Sequence, residues 1–376
     1  VVGSFGKTTA AHAVSRALAL KSPEGWNSKS YLAASVLRLR PWVRRAVIEV
    51  GISRPGQMVE YARIVRPDVV VVTSIGSEHG SSLVTLDVTR NEKAEMVRAL
   101  PPDGVAVLYG DDENVRWMAG ETAARVVTFG LGEPNDVRAS DVRLDWPFGI
   151  AFVLHADGEA REVRTRLVGR HQVCALLAAV AVGRSEGLTL DAMVSRLEAL
   201  PPATGRLELL HGPSGSWVLL DARKSHLETV EAALDLLEEV PARRILVLGS
   251  VEEPPGSQGP IYRTLGARAA RIAPHVLFVG ETKEFKSLRV GARRAGGDVS
   301  AFELFRDVAG VPARLRTLLK PGDVVLVKGR STQHLERVAV GLLGEGAACS
   351  LRVCRARWFC QECPALRGEN RRRGGR

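Results

Sequence analysis

The chain has 376 residues, more than one core of ordinary size holds, and so predicts two or three domains. Its 45% hydrophobic and 25% charged content is that of a soluble globular protein, with no apolar run near membrane-span length and no visible signal peptide. The formal net charge of +10 does not mark the body for nucleic acid, because residues 350–376 hold eight Arg against two Glu, a net +6 that leaves +4 elsewhere.

Val1 and Val2 run into a glycine turn, Gly3-Ser4-Phe5-Gly6, and Lys7, Thr8 and Thr9 then open an apolar-periodic helix (Ala10, Ala13, Val14, Ala17, Leu18). Strand, glycine turn and helix N-terminus in this order make a phosphate loop. Backbone N–H groups from Gly3 to Lys7 can face phosphate oxygens, favoured by the helix dipole. Lys7 would reach the β- and γ-phosphates, and the Thr8 hydroxyl would ligate Mg²⁺. Val1 stands where the strict pattern has glycine, and an ordinary glycine turn before a helix is the simpler alternative. The chain starts inside this strand without a Met, so a preceding segment is expected.

Ala46–Val50 reads as a buried strand closing on Glu49, Met58–Val65 as a helix, and Val69–Ser74 as a central strand. A helix over Asn91–Leu100 and a strand over Gly104–Tyr109 follow. Residues 137–168 switch to alternation around Asp157-Gly158, an antiparallel meander. Gln172–Val182 and Leu190–Leu200 read as helices. Pro201-Pro202-Ala-Thr-Gly205 marks the boundary to a second α/β pattern. Its strands are Trp217–Leu220, Ile245–Leu248, His275–Val279 and Val324–Val327, and its helices Leu227–Leu237, Tyr262–Ala270 and Val308–Leu319. The fold class is α/β: a central ATP-binding domain with a mostly parallel sheet (1–204), a Rossmann-like domain (205–345), and an Arg- and Cys-rich tail (346–376).

Ligands of open α/β sheets gather at the carboxyl ends of strands, where Glu49 and His79 fall, with Lys93 on the helix that follows. A carboxylate and an imidazole beside a triphosphate suit Mg²⁺. Taken singly, Glu49 is more simply a solvated strand end, His79 a loop histidine and Lys93 one face of a charged helix. Cys174 lies in an apolar run as a core residue, and the few body cysteines point to a reducing compartment. Cys349, Cys354, Cys360 and Cys363 offer four thiols and one Cys-x-x-Cys pair, enough for tetrahedral Zn²⁺, against incidental cysteines in an Arg-rich tail. Trp358 and Phe359 among the arginines offer a weaker route to RNA or anionic lipid.

In order and spacing these segments resemble the Mur ligase family of ATP-dependent carboxylate–amine ligases, and most of all its D-alanyl-D-alanine-adding branch. The resemblance runs from residue 1 to about 340. It is carried by Gly3-Ser-Phe-Gly-Lys-Thr-Thr9, Glu49-Val-Gly51 with Pro55-Gly56, Arg66 to His79, Glu92-Lys-Ala-Glu-Met96, Gly205-Arg206, Asp221, Gly249 and Gly322 to Arg330. It implies that Lys7 and Thr8 hold phosphates and a first Mg²⁺ with Glu49. It also implies that His79 and a carbamylated Lys93 serve a second Mg²⁺, that Arg206 pairs with phosphate, and that Asp221 contacts the ribose. The implied activity is amide formation through an acyl phosphate in the cytoplasm, on a nucleotide-linked cell-wall precursor or a related acid. The substrates would be small molecules, and a UDP-binding domain would precede residue 1. Departures are Phe5 in the loop, Gln172 and Ala175 in the adenine-side segment (Gln172 can replace one amide), and Arg223 to Leu227 after Asp221. A folate or poly-glutamate ligase, a silent ATP- or precursor-binding scaffold, and an ATPase with a nucleic-acid-binding tail are the alternatives.

Overall fold

A computed structural model describes residues 1–21, 29–40, 42–76, 85–344, 354, 356 and 359–363. His79, Cys349 and Trp358 lie outside these described residues. The chain divides into two units, Val1–Pro201 and Pro202–Arg376.

The first unit holds a six-stranded sheet in the order β1 (Val69–Val72), β2 (Val105–Tyr109), β3 (Arg125–Gly130), β4 (Val137–Asp145), β5 (Gly149–Ala156) and β6 (Glu159–Thr165). β1 to β4 run parallel, and β4, β5 and β6 antiparallel. β1 is four valines because it is covered on both faces. Val71, with Val107 of β2, joins a core with Val14, Leu176 and Phe152. Val70 and Val72, with Ala106 and Leu108, join another with Met58, Tyr61 and Val97. Helices Lys7–Ala17 and Val173–Ser185 supply the first cover, and Gln57–Val65 and Leu86–Arg98 the second. Asp157 and Gly158 turn β5 into β6 with positive φ at both positions (51° and 76°), the geometry that a two-residue hairpin needs.

Two expected elements differ most. No strand forms over 46–50: Val50 N donates to Val1 O at 2.9 Å, but the neighbouring segment turns at Gly3, leaving too little backbone for a ladder. The helix expected from Asn91 begins at Leu86, where the Thr85 side chain caps the Val88 N–H. Leu86 and Val88 are exposed, so no apolar period marks that first turn.

The second unit holds strands β7 (Glu208–His211), β8 (Trp217–Asp221), β9 (Arg244–Gly249), β10 (His275–Val279), β11 (Phe302–Phe305) and β12 (Val324–Lys328), in spatial order β11-β10-β9-β12-β8-β7. All neighbours are parallel except β7 and β8. The chain runs outward from β9 to β11 and then returns to place β12 between β9 and β8. Such a reversal opens a crevice at the strands' carboxyl ends. There Lys328 of β12 pairs in register with Asp221 of β8. Among the described residues, no helix is long and apolar enough to cross a membrane.

Candidate functional site

The loop of the first unit is shaped by its glycines. Gly3 has φ 144°, and a Cβ there would lie 2.1 Å from Thr73 Oγ1, so both conformation and space demand glycine. Gly6, at φ 80°, starts the Lys7–Ala17 helix, and no side chain caps that end. Uncapped N–H groups at a helix start are what an anion site requires. The end of β1 grips the loop. Ser4 N donates to Ser74 O at 2.8 Å, Phe5 N to Ser74 Oγ at 2.9 Å, and Thr73 Oγ1 to Phe5 O at 2.5 Å. Thr8 and Thr9 occupy the first helical turn.

Two buried lysines meet on Ser4. Lys7, 7% exposed, donates Nζ to Gly3 O at 2.7 Å and to Ser4 O at 2.8 Å. Lys93, 2% exposed on the Leu86–Arg98 helix, donates Nζ to Ser4 Oγ at 2.9 Å. Ser4 Oγ also accepts from Gly76 N at 2.8 Å. Two ammonium groups in a weakly hydrated setting on one loop favour an anion. Glu49 is buried at the end of the 46–50 segment, beside the residues that lead into the loop. Gln172 is buried, and its Nε2 donates to Val168 O at 3.1 Å, within its own turn. Hydrogen bonds thus join Gly3, Ser4, Lys7 and Lys93, and none of those described ties Gln172 to them.

In the second unit Asp221 is buried at the end of β8, and Lys328 Nζ donates to its Oδ2 at 2.7 Å and to Lys224 O at 2.8 Å. Burial lowers the Lys328 pKa, Asp221 opposes that, and the Arg206 guanidinium pushes it down further. Arg206 therefore acts on the same corner as Asp221. Of the cations after Asp221, Arg223 is engaged. Arg223 Nε donates to Thr204 O at 2.8 Å, its guanidinium pairs with Glu362 at 3.1 Å, and it stacks 4.3 Å over the Phe359 ring. His226 is buried at the start of helix Leu227–Glu239, with Glu252 3.7 Å away.

Of the tail cysteines, Cys354, Cys360 and Cys363 are free thiols. Among the described residues only Cys360 has metal-type donors gathered around it, and these are His334 and Glu336 rather than other cysteines. Burial, with Glu336 beside it, pushes the Cys360 thiol up to about 12, while Arg337 pulls it down.

Sequence reasoning gave no role to Thr73, Ser74, Lys328, His334 or Glu336. The signals were present for some of them. Thr73-Ser74 closes an all-valine strand, and Lys328 is a lone cation ending Val-Val-Leu-Val. His334 and Glu336 carry no local pattern, because their partner Cys360 lies 26 and 24 residues on.

Comparisons with known proteins cover most of the chain. The Mur ligase middle domain matches residues 1–183, and the Mur ligase, glutamate ligase domain matches residues 205–331. A UDP-N-acetylmuramoyl-tripeptide--D-alanyl-D-alanine ligase of Mycobacterium tuberculosis H37Rv is 29% identical over 377 residues, spanning 94% of this chain and 74% of the relative. The enzyme of the same name from Escherichia coli K12 is 28% identical over 360 residues, spanning 93% and 77%. A crystal structure of MurF from Acinetobacter baumannii superposes with a TM-score of 0.81 at 25% identity, covering 91% of this chain and 76% of that one.

Proposed function

The chain belongs to the Mur ligase family, and we propose that it is an ATP-dependent ligase that joins an amine, D-alanyl-D-alanine in the first instance, to the terminal carboxylate of a UDP-muramoyl-tripeptide. The observation that carries this reading is Ser4 held between two buried ammonium groups at the start of an uncapped helix. That arrangement fits a nucleotide triphosphate: the donors are in place, and the Gly3 cradle leaves no room for a side chain. The relatives' names supply the substrates, and the cytoplasm, where ATP and such precursors are found, is the proposed location.

The reaction balances in two steps. The substrate carboxylate attacks the γ-phosphorus, ADP leaves, and an acyl phosphate forms. The amine then attacks the acyl carbon, inorganic phosphate leaves, and the amine nitrogen gives up a proton. Lys7 would turn its Nζ from the loop carbonyls to the β- and γ-phosphate oxygens, and the loop N–H groups would hold the same charge. Thr8 and Glu49 are the proposed holders of Mg²⁺, which supplies neutralisation of the transferring phosphoryl group. Lys93, with His79, is proposed as the second cation locus. Carbamylation by CO₂, with loss of two protons from the ammonium, would turn that repelling group into an oxygen donor. Gln172 remains the proposed adenine-side amide, and Asp221 and Arg206 the second unit's contacts for ribose and phosphate.

ADP release measured with Mg²⁺, ATP, UDP-muramoyl-tripeptide and D-alanyl-D-alanine tests the reading. Release that needs both co-substrates supports it. ATP binding without release under any pairing of acid and amine contradicts it.

A further inference from the structure

The C-terminal segment returns to the second unit at residues 359–363, where Phe359 joins a core with Val218, Leu335 and Val338. Beside it three side chains of different chemistry converge. His334 lies two residues before Glu336, the first residue of the helix Glu336–Leu343, and Cys360 comes from the returning segment. His334 Nδ1 is 2.9 Å from Glu336 Oε1 and 3.9 Å from Cys360 Sγ, and Cys360 N donates to the same Oε1 at 3.1 Å. The donor atoms lie within 4.8 Å of one another, and the residues are 4%, 0% and 6% exposed.

As a purely hydrogen-bonded cluster it is incomplete. Among the described residues, Glu336 forms no ion pair with Lys or Arg, and its Oε2 is buried without a partner, as is His334 Nε2. A fully buried carboxylate satisfied on one oxygen is costly. Protonating His334 would balance its charge but would leave Oε2 unbonded. A cation among the three donors balances the charge directly, and a carboxylate that binds it through both oxygens satisfies Oε2 as well.

We propose that His334, Glu336 and Cys360 bind Zn²⁺, which fastens the C-terminal segment to the second unit. Imidazole, carboxylate and thiolate together match zinc's borderline softness, and three donors of this size match its tetrahedral habit with one position left over. Binding releases the Cys360 proton to solvent, and Zn²⁺ with a thiolate and a carboxylate is neutral overall, which makes burial tolerable. Arg337 Nε, donating to Cys360 Sγ at 3.5 Å, supports the thiolate from outside the set. The fourth position falls to water or to Cys363, three residues on in the Cys-x-x-Cys turn. This donor set replaces the four-thiol set that spacing alone suggested, and it does not depend on the ligase reading.

The test is zinc content and Co²⁺ spectroscopy of the full chain. The native protein, reconstituted and then dialysed, should keep about one Zn²⁺ per chain. Co²⁺ in its place should show a thiolate charge-transfer band, weakened in Cys363→Ser only if that thiol is the fourth ligand. Cys360→Ser and His334→Asn should each weaken zinc binding by at least about 10- to 100-fold, the cost of losing even a partner that holds a ligand in place. Asparagine suits the left-handed backbone at His334 (φ 52°). Cys354→Ser should leave binding unchanged. No retained zinc and no charge-transfer band in the native chain would overturn the proposal, and need no variant to fold. So would zinc kept in His334→Asn and lost in Cys354→Ser, the signature of a tail thiol site.

Discussion

Ser4 Oγ and Lys93 Nζ lie 2.9 Å apart across 89 residues of chain, so one hydroxyl ties the phosphate loop to the helix that follows β1. The same oxygen accepts the Gly76 N–H and donates to Gly76 O at 3.3 Å. Ser4→Ala removes all three bonds while keeping the loop's backbone. The expected cost is about 1–3 kcal/mol of stability, because buried donors lose an acceptor. Urea unfolding measures it, and ATP affinity should fall with it as the loop loosens.

Gly3→Ala should do more harm to binding. Its Cβ would meet Thr73 Oγ1 at 2.1 Å and Ser74 N at 3.0 Å, in a backbone conformation that L-residues rarely adopt. The loop must shift, and nucleotide affinity should drop by at least about tenfold, or about 1.4 kcal/mol. Gly56→Ala is the control. It shares a positive φ of 81°, but its Cβ would meet nothing within 4 Å, so only about 1 kcal/mol of strain is expected, with ATP affinity unchanged. Calorimetric titration of ATP against both variants decides.

The buried pair of the second unit gives a sharper energetic prediction. Lys328→Met leaves the Asp221 carboxylate buried without its ammonium partner, which should cost about 3–5 kcal/mol. Lys328→Met with Asp221→Leu removes both charges and should recover most of that loss. Hydrogen exchange of the β8 and β12 amides reads both outcomes. If the single and double variants exchange alike, the pair is not holding those strands together.

Phe359→Ala tests the returning segment. The ring is 3% exposed, packs under Arg223, and would strike a Cβ placed on Gly205 at 2.6 Å. Losing it should cost about 3–5 kcal/mol and speed proteolysis within residues 345–376. Limited proteolysis followed by mass spectrometry locates the cuts.

Much of the site was legible because its chemistry is local. Gly3 to Thr9 are contiguous, and glycine turn, lysine and helix start sit in the order that their geometry needs. The apolar runs of β1, β8, β9, β10 and β12 announced buried parallel strands. What escaped depends on distant partners. β3 (Arg-Val-Val-Thr-Phe-Gly) has only Phe129 and Gly130 fully buried, so its pattern is weak. The helix Thr282–Arg294 buries only a short apolar stripe (Phe285, Leu288 and Ala292) among charged residues, and its start is fixed by a capping box between Glu281 and Glu284. Arg223, among the departures after Asp221, is taken up by Thr204, Phe359 and Glu362, the last of them 139 residues away. Cysteine spacing suggested partners for Cys360 within the tail, whereas folding brings it to His334 and Glu336.

The most direct test of the central claim is ADP release by Lys93→Ala beside the native chain, with Mg²⁺, ATP, UDP-muramoyl-tripeptide and D-alanyl-D-alanine. The account predicts release by the native chain that requires both co-substrates. It predicts a fall of at least about 10²-fold in the variant, as for loss of an electrostatic stabiliser, with partial rescue by short-chain carboxylic acids that replace the carbamate. Release that is unchanged in Lys93→Ala, or that proceeds equally without the amine, would contradict it.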